Sequence, residues 1–310
     1  MLLHPLTVAK DSIEFPRVTC PTLKQKLHQL KKINNWLGFF RLTGNYIICA
    51  LAIVASHLCP YLYPIVVVLI GSRLRALENL THEASHRQLF KNRILNDGVA
   101  TLFGAFPTHS SLDSYRNGHR IHHRYLGHPE KDPDLNKYGY LPVPSDRQFK
   151  HLMAVFTATY DLKANLISFT QPLTNPTSPL ELCLRMSFWL ICGSIILLTH
   201  TWQDFILFYV IPFLTSYRII RQLVDMSEHI LNNDVTHHTR NVLCNPVLQF
   251  IIYPHADYLH LLHHMYPGIP GNALLKAHKL LLEQPEYKEV PPFRSYFFGR
   301  DSVLSMALSQ

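Results

Sequence analysis

A chain of 310 residues has room for one large domain or two small ones. Hydrophobic residues make up 47% and charged residues 16%, below the roughly 25% charged share of an average domain. A formal charge of +8 and a pI near 9.2 point to an anionic partner. The basic residues are spread out except for Lys24, Lys26, Lys31 and Lys32, which argues against nucleic acid and for a membrane surface. The mean hydropathy of +0.03 is too low for a chain buried in membrane throughout and suits a few spanning segments with a large polar part.

In chain order, Met1 to Leu30 lacks the apolar core of a signal peptide. A first apolar stretch runs from about Trp36 to Leu58, and after the Cys59-Pro60 break a second runs from about Tyr61 to Leu80. Amphipathic stretches follow at about Asn96–Phe106 and His151–Phe169, each too short or too polar to span and suited either to the interface plane or to capping the core of the cytoplasmic part. A third apolar stretch (about Leu182 to Thr199) and a fourth (about Phe205 to Val224) flank His200-Thr201-Trp202-Gln203-Asp204. Each of the four approaches the roughly 20 residues a spanning helix needs. The expected fold is all-α, with four transmembrane helices in two hairpins and a cytoplasmic helical cap. Neither hairpin loop carries Lys or Arg, so the positive-inside rule places both termini and the segments after the second and fourth spans in the cytoplasm. The six cysteines show no C-x-x-C spacing and are expected to be reduced and unpaired.

Three histidine clusters carry the chemistry: His82-Glu-Ala-Ser-His86, His119-Arg-Ile-His122-His123 and His260-Leu-Leu-His263-His264. On a helix, positions i, i+3 and i+4 share one face, so each cluster points its imidazoles together. Neutral imidazole suits iron, copper, zinc or nickel. The clusters hold too many imidazoles for one ion, which favours two metals sharing a site. All three clusters fall on the cytoplasmic side. Glu83 makes the first cluster read H-E-x-x-H, as in zinc metalloproteases, but that reading leaves most of the histidines unused. A metal transporter would place its polar ligands near the bilayer midplane, whereas these lie outside the apolar runs. Glu83, Asp132, Asp134 and Glu228 are candidates to orient imidazoles through their free N–H. His128, His237, His238 and His255 fall outside the cluster spacing and are expected to be solvated or hydrogen-bonded.

Two apolar hairpins with HxxxH after the second stretch, HxxHH about 30 residues later and HxxHH after the fourth resemble the membrane fatty-acid desaturase and hydroxylase superfamily. Tyr115-Arg-Asn-Gly-His119-Arg-Ile-His122-His123 followed by Asp132-Pro-Asp134 is similar to its second box. Ser227-Glu228-His229 is similar to the segment supplying an isolated ligand, and His263-His264-Met-Tyr-Pro267-Gly-Ile-Pro270 to the end of the third box. Leu262 departs from the glutamate that many relatives carry there.

The resemblance covers about Trp36 to Leu281 and implies a single domain over 1–310, with a core at 36–281 and cytoplasmic tails at 1–35 and 284–310. It implies two Fe²⁺ ions held by His82, His86, His119, His122, His123, His229, His260, His263 and His264. Asp225, four residues before His229, would touch an iron directly or through water, or else pair with Arg221. It further implies O₂-dependent desaturation of an acyl chain, with electrons from an external ferredoxin- or cytochrome-like donor. Hydroxylation of a lipid, carotenoid or specialised metabolite is the alternative outcome of the same chemistry.

Overall fold

The computed structural model describes residues 20–128, 130–134, 147–159, 167, 178–229 and 239–308. Among them the chain is helical with no strand; the only β contacts are the isolated bridges Val242–Phe293 and Ser295–Ser302. All six cysteines are unpaired, as the sequence suggested.

After α1 (Pro21–Gln29), α2 (Asn35–Leu58) starts where the side chain of Asn34 accepts from Trp36 N and Leu37 N, which satisfies two of the first-turn donors. It stops at Cys59, because Pro60 cannot continue the helix. A short 3-10 turn then leads into α3 (Tyr63–Ser85), with Pro64 in its first turn. The buried positions of α2 (Gly38, Leu42, Asn45, Ala52 and Ser56) share one face, which packs on α3. α3 is the central pillar: apart from half-buried Glu78 and Glu83, every residue from Ile70 to Ser85 is buried. Close approach makes this possible. A Cβ on Gly71 would collide with Ser216 Oγ and Tyr217 N, so only glycine lets the fourth apolar segment lie this near.

α4 (Arg93–Ala100) runs into a π turn at Thr101–Ala105, then a 3-10 turn and α5 (Leu112–Tyr125). In the first expected amphipathic stretch, Asn96 and Phe106 are buried and Phe103 is exposed, with exposed Ile94 and Leu95 just before it. α6 (Gln148–Phe156) exposes Phe149, Met153 and Phe156 on one face and buries Val155 on the other. The rest of the second amphipathic stretch, beyond Thr159 and apart from Ile167, lies outside the described residues.

α7 (Pro179–Leu198) begins with Ser178 accepting from Glu181 N at 3.1 Å and buries only Arg185. The fourth apolar stretch differs from the uniform helix expected. It is split into α8 (Trp202–Phe205), a π turn (Ile206–Val210), α9 (Ile211–Leu214) and, after a break at Thr215, α10 (Ser216–Glu228). Pro212 accounts for the π turn before it: it has no N–H for the carbonyl of Phe208, and its ring crowds that turn. The disturbed backbone finds another donor, since the Tyr63 hydroxyl gives its proton to Leu207 O at 3.0 Å. Among the described residues, three helices are long and apolar enough to cross a membrane: Asn35–Leu58, Pro60–Ser85 and Pro179–Leu198. The remaining elements used below are α11 (Pro246–Ile251), a 3-10 segment (Pro254–Leu259), α12 (His260–Met265) and α13 (Gly271–Leu281).

Candidate metal centre

The three clusters reach one place from three helices. His82 stands in the last turn of α3 and His86 caps that helix, where the Ser85 hydroxyl donates to His82 O at 2.6 Å. His119, His122 and His123 lie on α5, started by Ser111. His260, His263 and His264 lie on α12, aimed by the left-handed backbone of His255 and Ala256 just before it. A non-glycine residue pays a conformational cost there, so two in a row mark a turn fixed by its surroundings. His229 completes the set from the C-cap of α10. Its backbone is extended (φ −135°, ψ 113°), so it stands just beyond the helix that carries Asp225. The helix ends at Glu228.

All nine predicted histidines converge, and they sort into two groups. His82, His86, His119, His123 and His263 form the first, with their candidate ligand atoms all within 4.8 Å of one another. Within it, Nε2–Nε2 separations are 2.8 Å for His82–His263, 2.9 Å for His119–His123 and 3.1 Å for His123–His263. The second group is a chain of contacts through Nε2: His122–His229 at 3.1 Å, His229–His260 at 3.0 Å and His260–His264 at 3.0 Å. Two imidazole nitrogens bound about 2.1 Å from one ion at right angles lie about 3 Å apart. The spacing is that of ligands around a shared ion.

The donor chemistry fits a metal. His86 Nε2 is buried and has no hydrogen-bond partner, a costly state for a polar atom unless an ion takes its lone pair. Burial first, then the neighbouring imidazoles, hold His119, His123, His260, His263 and His264 well below the usual histidine range. His86 is lowered to about 4 by burial and by Arg116. Neutral imidazoles keep the lone pair that a cation requires.

Carboxylates hold two rings from behind. His122 Nδ1 lies 2.9 Å from Asp132 Oδ1, and Asp132 is itself fixed by the N–H groups of Gly127 and Asp134. Asp134 Oδ2 stands 3.8 Å from the same ring nitrogen. Glu228 Oε1 is 3.4 Å from His260 Nδ1. Glu83 behaves differently from expectation: it turns from the imidazoles to Arg41, at 2.6 Å and 2.8 Å. A guanidinium offers a carboxylate paired charge-assisted bonds that a neutral ring cannot match. Arg41 Nε in turn donates to His255 Nδ1 at 3.3 Å, so His255 is hydrogen-bonded as expected. His128 accepts from Glu130 N at 3.2 Å, while His237 and His238 lie outside the described residues.

Asp225 is half-buried and lines a cavity with His82, His119, His122, His229 and His260, touching both groups. It is absent from the clusters of ligand atoms. Its expected alternative partner, Arg221, places Nε 3.3 Å from Glu78 Oε1. Sequence reasoning missed Arg75, whose guanidinium meets Asp257 at 2.5 Å, Glu228 at 3.5 Å and Glu78 at 3.6 Å. The signal was present: Arg75 precedes His82 by seven residues, two turns along one helix face. Tyr115, whose ring stacks on His119 at 5.2 Å between centroids, was also missed as a site residue.

Comparison with known proteins agrees with this geometry. The profile of the family described as Fatty acid desaturase matches residues 33–296. A dihydrorhizobitoxine desaturase of Bradyrhizobium elkanii is 31% identical over 304 aligned residues, covering 90% of this chain and 84% of that protein. The Delta(6)-fatty-acid desaturase fat-3 of Caenorhabditis elegans is 32% identical over 116 residues, which cover 37% of this chain and 26% of the relative.

Proposed function

The chain belongs to the fatty acid desaturase family, and we propose that it introduces a double bond into an acyl chain using two iron ions and O₂. As a member it is an integral membrane oxidoreductase with a lipid or acyl substrate. The observation that carries the finer reading is a cluster of five imidazoles beside an Nε2 chain through the other four, with linked nitrogens about 3 Å apart. His82, His86, His119, His123 and His263 hold one ion. His122, His229, His260 and His264 hold the other, and Asp225 faces it directly or through water.

Bound there, two ferrous ions would supply O₂ activation and the power to remove hydrogen from an unactivated C–H bond. The protein's own residues prepare that chemistry. Asp132 accepts from Nδ1–H of His122 and Glu228 from Nδ1–H of His260, so each ring is fixed with Nε2 free for a metal. Seven of the nine imidazoles are buried, with His86 and His123 partly so, which limits the water that reaches the centre. The reaction takes a –CH₂–CH₂– unit, O₂, two electrons and two protons to –CH=CH– and two waters. The electrons come from a separate ferredoxin- or cytochrome-like protein.

The chain forms one domain with four crossings, the segmented α8–α10 being the fourth. The histidines and both termini face the cytoplasm. A second reading takes its cue from the Bradyrhizobium elkanii relative, whose name gives dihydrorhizobitoxine rather than a fatty acid as substrate. One experiment tests both. The chain is expressed in a host with and without His123→Ala, lipids and small metabolites are profiled, and iron is measured in anaerobically purified protein. New unsaturated acyl chains that vanish in the variant support the first reading. Dehydrogenated small metabolites support the second, and one zinc with no iron overturns the di-iron assignment.

A further inference from the structure

A groove of about 570 Å³ lies where α1 ends and α2 begins, closed on its other side by α13. Three lysines from separate segments line it: Lys32 before α2, Lys91 in the turn after α3 and Lys276 on α13. Among the described lining residues there is no carboxylate, and no lysine of the three makes a described ion pair. Leu30, Ile33, Trp36 and Leu37 share the lining with the side chains of Gln29, Asn34, Asn35 and Asn272. The turn bearing Lys91 is fastened to α2, because Lys91 N donates to Asn35 Oδ1 at 2.9 Å.

Apolar side chains and three lysines around one groove, with no carboxylate among the described lining residues, suit an anionic amphiphile. The outer face of α2 indicates which one. Trp36 is 71% exposed at the mouth of the groove, and Phe40, Ile47, Leu51, Val54 and Leu58 continue from it along one exposed face. That stripe is the length of a bilayer-spanning helix, and an aromatic at its start suits the headgroup level. We propose that the groove binds the head group of an anionic phospholipid, whose acyl chains lie along this stripe of α2. A soluble phosphate would find the lysines but make no use of Leu30, Ile33, Trp36 and Leu37 in the same groove. The site is separate from the histidine centre and does not depend on the reaction assigned to it.

The test uses the full chain in phosphatidylcholine nanodiscs containing about one-fifth phosphatidylglycerol, with brominated chains on one lipid or the other. Quenching of Trp36 is read as the difference between wild type and Trp36→Phe. Brominated phosphatidylglycerol is expected to quench Trp36 at least about twofold more per mole than brominated phosphatidylcholine. Combined Lys32→Gln, Lys91→Gln and Lys276→Gln should equalise the two. Equal quenching in wild type overturns the proposal. So does loss of the preference on adding millimolar inorganic phosphate at constant ionic strength, which would mark a site for soluble phosphate. Should the triple variant fail to assemble, lipids retained by purified wild type and by Lys276→Gln are compared by mass spectrometry. Phosphatidylglycerol enriched over the host membrane in wild type and reduced in the variant supports the site; bulk composition in wild type overturns it.

Discussion

Nδ1 of His122 and Oδ1 of Asp132 lie 2.9 Å apart, both side chains nearly free of solvent contact. Asp132 also takes the N–H of Gly127, whose φ of +75° lets the chain turn back after α5. The carboxylate thus fixes the imidazole and the loop with one group. Asp132→Ala should remove iron chiefly from the four-histidine group and lower turnover about 10- to 100-fold. Asp132→Asn, which can still accept one hydrogen bond, should retain more metal than alanine. Equal iron in all three proteins, measured by elemental analysis, would contradict this role.

The two groups should empty separately. Replacing His264 with alanine should leave about one iron per chain, held by the five-histidine group, and His263→Ala should leave about one in the other. Activity should vanish in both, because the proposed reaction needs both ions. Mössbauer spectra of the two variants should show different residual iron sites. Identical spectra would argue against the division.

Asp225 and Arg221 give a contrast within one helix. Arg221 is engaged with Glu78, so a mere ion-pair role for Asp225 predicts mild effects, under about 1 kcal/mol. If Asp225 faces the second ion, Asp225→Ala should lose most activity and some iron, while Asp225→Asn keeps more iron than alanine does. Near-normal iron and turnover in Asp225→Ala would place it outside the metal's reach.

Topology can be read with native residues. Cys20 and Cys59 are both exposed and unpaired. Cys20 precedes the first span and Cys59 sits at the tip of the α2–α3 hairpin. In variants keeping one of these cysteines, an impermeant maleimide added to intact cells should label Cys59 and spare Cys20. A cysteine introduced at Gln203 should label like Cys59. Labelling of Gln203 from the opposite side would mean that α8–α10 does not complete the second hairpin.

His255 makes stability depend on pH. Burial, then Arg41 and Arg73, hold its folded-state pKa well below the ordinary value of 6.5. The unfolded chain therefore binds a proton below pH 6.5 that the folded protein rejects. Stability from this residue is complete above that pH and falls as the medium acidifies, by up to about 1.4 kcal/mol per pH unit. Thermal unfolding at pH 7 and pH 5 should show a smaller drop in Tm for His255→Asn than for wild type. An equal drop in both would show that His255 does not contribute.

The histidines were legible because metal binding demands specific residue types at helical spacing, and His82, His86 and the two HxxHH runs retain it. Their sorting into five and four was not legible. His122 and His123 are adjacent yet serve different groups, since neighbouring helix positions project about 100° apart. The broken fourth helix had its cue in Pro212, but an apolar run with one proline reads as continuous until the turn before it is seen. Glu83 misled because its partner, Arg41, is 42 residues away on another helix. Such pairings depend on helix packing, which local sequence does not encode.

His82 and His263 touch through Nε2 although 181 positions separate them along the chain. That distance sets a timetable for biosynthesis. When the first hairpin enters the bilayer, the first half-site has only His82 and His86, and His263 is still unmade. The four-histidine group is completed one residue later, by His264. On the proposed di-iron reading, neither ion could be fully enclosed until the ribosome had passed the last cluster, which would put metal loading at the end of synthesis. A chain arrested after Ile252 would lack His260, His263 and His264, and also Asp257 and Pro254, the partners of Arg75 and Asn79 on α3, so it could complete neither group.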